Sequence, residues 1–67
     1  MINPTQTDVG RGVIYQGGHP DDRDTGIISS FNDRVVFVRY RGKHGGAQAT
    51  RREDLTWEFP RKHELPQ

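Results

Sequence analysis

Gly26-Ile27-Ile28-Ser29-Ser30-Phe31-Asn32-Asp33-Arg34-Val35-Val36-Phe37-Val38-Arg39-Tyr40 is two runs rich in β-branched and aromatic residues that meet at an Asn-Asp pair. Asn and Asp tolerate positive φ better than any residue except glycine, so Asn32-Asp33 is expected to turn tightly and pair the two runs as a hairpin. Beyond the turn, Val36, Val38 and Tyr40 alternate with Val35, Phe37, Arg39 and Arg41. Period-two alternation places the Val36 set on the buried face and leaves the other face ending in cations. Before the turn, Thr25 to Phe31 reads as a strand whose inward face is ambiguous between Ile27 and Ile28.

Upstream, Arg11 to Gln16 predicts a first strand with Val13 and Tyr15 on one face and Ile14 on the other. A polar loop, Gly17 to Asp24, separates it from the second strand. Residues 1–8 are polar, contain Pro4 and are expected as a disordered tail. Downstream, Gly42 to Gly46 predicts a looser turn, and the small alternating residues Ala47 to Thr50 suit a crowded barrel interior. Thr50-Arg51-Arg52-Glu53 has capping-box spacing, which predicts a single 3₁₀ turn. Leu55, Trp57 and Phe59 then share the parity of a last inward face. Pro60 ends that strand, and 60–67 is expected as a second disordered tail.

Five short strands, a long first loop, a tight central hairpin and one 3₁₀ turn before the last strand predict an all-β, SH3-like barrel over residues 9–59. At 67 residues the chain has room for one thin core. The absence of cysteine excludes a disulfide scaffold or thiolate zinc site and favours a reducing compartment, so a cytoplasmic location is expected. The longest apolar run, Val35 to Val38, is too short to span a membrane, and no membrane partner is expected. A net charge of +1 does not by itself imply polyanion binding.

Three blocks, Gly26 to Asp33, Val36 to Tyr40 and Ala49 to Trp57, resemble small uncharacterised proteins of tailed bacteriophages and prophages. The resemblance covers roughly residues 9–59. It implies expression in a bacterial cytoplasm and agrees with a small barrel, and it carries no activity or ligand with it.

Phe37, Arg39, Arg41 and Lys43 share one parity on or just past the third strand, and Arg52, with Gln48 and Thr50, is expected beside them across the next hairpin. An aromatic among cations is what phosphate neutralisation and base stacking require, so this stripe is the candidate nucleic-acid site. A solvated face kept charged against edge pairing has the same pattern. Asp21, Asp22 and Asp24 form an acidic loop where SH3 domains select basic peptides, although the paired-tyrosine motif of that groove is missing. His19, His44 and His63 have no metal-ligand spacing, and Asp21 to Asp24 lacks the glycine and closing Glu of a calcium loop. No nucleophile with a base, paired carboxylates or phosphate loop is present. The expectation is a non-enzymatic binding module without cofactor or metal, a monomer or weak oligomer. Its expected partner is nucleic acid or, alternatively, a host or phage protein.

Overall fold

The computed structural model describes residues 1–18, 21–42 and 45–61. The protein is all-β: β1 (Gly12–Gln16), β2 (Arg23–Phe31), β3 (Val35–Tyr40), β4 (Gln48–Arg51) and β5 (Leu55–Trp57) form one antiparallel sheet in the order β4-β3-β2-β1-β5. Two 3₁₀ turns, Gln6–Asp8 and Arg52–Asp54, complete the described elements. Val13, Ile28, Val36, Val38, Tyr40 and Leu55 form a single buried cluster, so the sheet curls around one concave face.

Tertiary packing resolves the ambiguity in β2. Ile28 is buried and Ile27 is exposed, yet Phe31 also packs against the core, which strict alternation forbids. The register supplies the reason: Ile28 pairs with Val38 and Ser30 with Phe37, leaving Ser29 as a bulge. One extra residue reverses the parity, so Ile28 and Phe31 both face inward. Gly26 lets β3 approach closely, since a Cβ there would lie 2.6 Å from both the Arg39 carbonyl oxygen and Val38 Cγ1.

The hairpin turn departs from the expected one. No described non-glycine residue has positive φ. Asn32 Oδ1 accepts hydrogen bonds from the backbone N–H groups of Arg34 (2.8 Å) and Val35 (2.9 Å), and the Asn32 N–H donates to the Val35 carbonyl at 3.0 Å. Asp33-Arg34 is therefore the two-residue loop, and Asn32 shapes it with its side chain.

Residues 1–8, expected as a tail, are packed. Ile2 is 1% exposed and belongs to the core, Asp8 is buried, and the Ile2 N–H donates to the Arg52 carbonyl. An apolar side chain that fills a core slot repays the order it imposes on its neighbours, which a polar composition hides.

Three smaller corrections concern the last third of the chain. Ala47 and Ala49 are exposed, and of that segment only Thr50 is buried. The Thr50 hydroxyl bonds Tyr40 instead of capping the second 3₁₀ turn, whose N-cap is Arg51. Leu55 is buried and Trp57 half-buried, but β5 ends at Trp57 and Phe59 is 77% exposed. Trp57 packs its ring under the Arg11 guanidinium, 3.9 Å from the ring centroid. Residues 62–67 of the expected C-terminal tail lie outside the described residues.

Candidate functional site

The predicted basic stripe is divided by the fold. Phe37 and Arg39 lie on the convex face of β3, Phe37 half-buried between Ser30 and Ala49, Arg39 exposed beside Ile27. Arg41 follows them, but its guanidinium is engaged by Glu58, Nη2 to Oε1 at 3.0 Å and Nη1 to Oε2 at 3.3 Å. Glu58 reaches this position because Gly12 has no side chain: a Cβ there would lie 2.4 Å from Oε1. One of the four cations expected to meet a polyanion, Arg41, is thus neutralised within the chain.

Arg52 stands at the other end of β3, on the order of 20 Å from Arg41 by strand rise. Its Nη2 donates to the Asn32 carbonyl and its Nη1 to Asn3 Oδ1, tying the hairpin turn to the N-terminal segment. Gln48 and Thr50 face the concave side rather than the stripe, as their pairing with Val38 and Val36 requires. Lys43 lies outside the described residues, as do His19, His44 and His63.

The concave side holds a cleft of about 440 Å³. One wall is the whole of β4, Gln48 to Arg51, with Asp54 from the 3₁₀ turn that follows; the other is Asp22, just before β2, with Arg23 and Asp24 at its start. Tyr40 on β3 and Tyr15 on β1 also line it, packed edge to face with centroids 6.1 Å apart. Asp24 is opposite Tyr15 in the ladder and shares its face. The sheet order, which sets β3 and β2 between β4 and β1, is what gathers these residues.

The electrostatics of the two walls differ. Arg51 is occupied by its own neighbours, with Nη2 3.3 Å from Glu53 and Nε 3.5 Å from Asp54. Asp22 and Asp24 have no ion-pair partner among the described residues. Tyr40 is held protonated: burial pushes its pKa up, the nearby Asp24 charge adds to this, and the Thr50 hydrogen bond offsets only part. Its hydroxyl lies 2.6 Å from Thr50 Oγ1, a pair in which either oxygen can donate, and Thr50 Oγ1 is also 3.4 Å from the Gln48 carbonyl.

The cleft therefore offers a cation two carboxylates, free of ion pairs among the described residues, beside aromatic rings. Sequence reasoning found one wall through its acidic loop, while Asp21 of that loop does not line the cleft. It missed Asp54, and it placed Tyr15 and Tyr40 on their strand faces without joining them to the loop, since no local spacing links them. Comparisons of the chain with protein-family models, curated proteins and solved structures find no match.

Proposed function

We propose that this chain is a small non-enzymatic binding module whose cleft receives a positively charged segment of a partner protein. The observation that carries this reading is the pair Asp22 and Asp24, which have no ion-pair partner among the described residues and stand at a cleft lined by Tyr15 and Tyr40. An arginine placed there would replace water by charge-assisted hydrogen bonds and lie against aromatic surface. The strand order and the 3₁₀ turn before β5 support an SH3-like barrel, and the resemblance to small phage proteins supports a role in a bacterial cytoplasm, acting on a host or phage protein.

The test is titration of isotope-labelled protein with a capped arginine peptide and its citrulline counterpart, which keeps shape and loses charge. Shifts are expected at Tyr15, Asp22 to Asp24 and Gln48 to Arg51. Citrulline, or Asp22→Asn with Asp24→Asn, should weaken binding by roughly tenfold or more, the worth of a charged hydrogen bond. Equal binding of both peptides would overturn the reading.

A second reading, nucleic-acid contact through the convex face, is favoured by the exposure of Arg39 beside Ile27 and Phe37. Its signature is salt-sensitive anisotropy of a labelled oligonucleotide that Arg39→Glu abolishes.

A further inference from the structure

β4 ends the sheet: among the described residues it pairs with β3 alone, and its residues form a wall of the cleft. In an antiparallel ladder alternate residues direct N–H and C=O to the neighbouring strand and the rest direct them away. About half of the backbone groups of Gln48 to Arg51 thus face outward, a template for another strand. Nothing in the strand blocks this edge. It contains no proline and no lysine, Ala49 is small and exposed, and the Arg51 side chain is turned aside to Glu53 and Asp54.

We infer that the cleft takes its partner as an extended strand added to the free edge of β4, with one cationic side chain directed to Asp22 and Asp24. The inference rests on the cleft being the binding site and adds the conformation of the ligand. A strand paired with β4 becomes a sixth strand, and every second side chain of it faces the concave side, where Asp22 and Asp24 stand. Main-chain hydrogen bonds then supply affinity and a single Lys or Arg the selectivity. A second copy of this chain does not fit: β5, its other edge, is Leu55-Thr56-Trp57 and brings no cation, and β4 itself brings only Arg51, already paired.

The probe is the capped peptide Thr-Val-Thr-Val-Arg-Val-Thr-Val-Thr, made unmodified and with backbone N-methylation at either the valine or the threonine positions. A strand uses the N–H groups of one parity only, so one methylated peptide should bind roughly tenfold or more weaker while the other stays within about threefold of the parent. Amide exchange should slow at alternate residues between Gln48 and Arg51. If both methylated peptides match the parent while citrulline in place of arginine weakens it, the cleft is a charge site and the strand inference falls alone. If the parent fails to bind below about 1 mM, the loose end of measurable affinity, both fall.

Discussion

Asn32 uses its side chain where the expected turn would have used its backbone. Oδ1 stands in for a main-chain carbonyl and accepts the N–H groups of Arg34 and Val35, so the loop closes with no non-glycine residue at positive φ. Asn32→Ala should cost about 1–3 kcal/mol, two exposed hydrogen bonds at roughly half to one and a half each, whereas Asn32→Asp keeps the acceptor and should lose under about 0.5. Urea denaturation of the two variants measures the difference, and an alanine variant as stable as the wild type would refute the role. The presence of a turn was legible because Asn between apolar runs favours one by either route. The route was not, since tolerance of positive φ and capacity to accept two N–H groups belong to the same residue. Thr50 is ambiguous in the same way: a hydroxyl three residues before Glu53 looks like a cap, and the partner it takes, Tyr40, is ten residues away in sequence.

At the scale of elements the decisive feature is the Ser29 bulge. Read with strict alternation, β2 can bury Ile28 or Phe31 but not both, which is why sequence left its inward face open. A bulge has no residue signature beyond small polar side chains such as Ser29-Ser30, so pairing with β3 has to reveal it. Deleting Ser29 restores alternation and turns Phe31 outward or misplaces the Asn32 turn. The expected loss, more than about 3 kcal/mol, consumes most of the roughly 3–10 kcal/mol a chain of this size has. The deletion variant should thus lose the dispersed amide spectrum of the folded protein, while Ser29→Ala should stay within about 0.5 kcal/mol of wild type. A folded deletion variant with Phe31 still buried would refute the parity argument. The site follows the same logic. Val36, Val38 and Tyr40 were legible as inward by local alternation, but the cleft joins β1, β2, β3, β4 and a 3₁₀ turn, and the curl that joins them is a property of the sheet.

For the molecule as a whole, closure depends on Asp8. The Thr5 N–H donates to its Oδ2 at 2.7 Å, the Arg11 guanidinium pairs with its Oδ1 at 2.9 Å, and Arg61 approaches to 3.8 Å. Arg11 also covers Trp57 and donates to the Phe59 carbonyl, so one carboxylate links the segment that carries Ile2 into the core, the entry to β1 and the chain leaving β5. Burial pushes the Asp8 pKa up, and the Thr5 N–H, Arg11 and the Thr5 hydroxyl together outweigh it, leaving the carboxyl below its ordinary value of 3.8. A depressed folded-state pKa means that the unfolded chain takes up this proton first as pH falls. The stabilisation is therefore complete above the ordinary carboxylate range and is lost as pH drops through 3.8 and on through the lower folded value. Asp8→Asn removes the charge and keeps an acceptor for Thr5. Its urea midpoint should lie below that of the wild type at pH 7, by about 1–3 kcal/mol when converted with the denaturant slope, and the gap should close as pH approaches 2. Other carboxylates titrate in both proteins and cancel in the comparison. A gap that stays constant from pH 7 to pH 2 would show that the Asp8 charge contributes nothing to closing the fold.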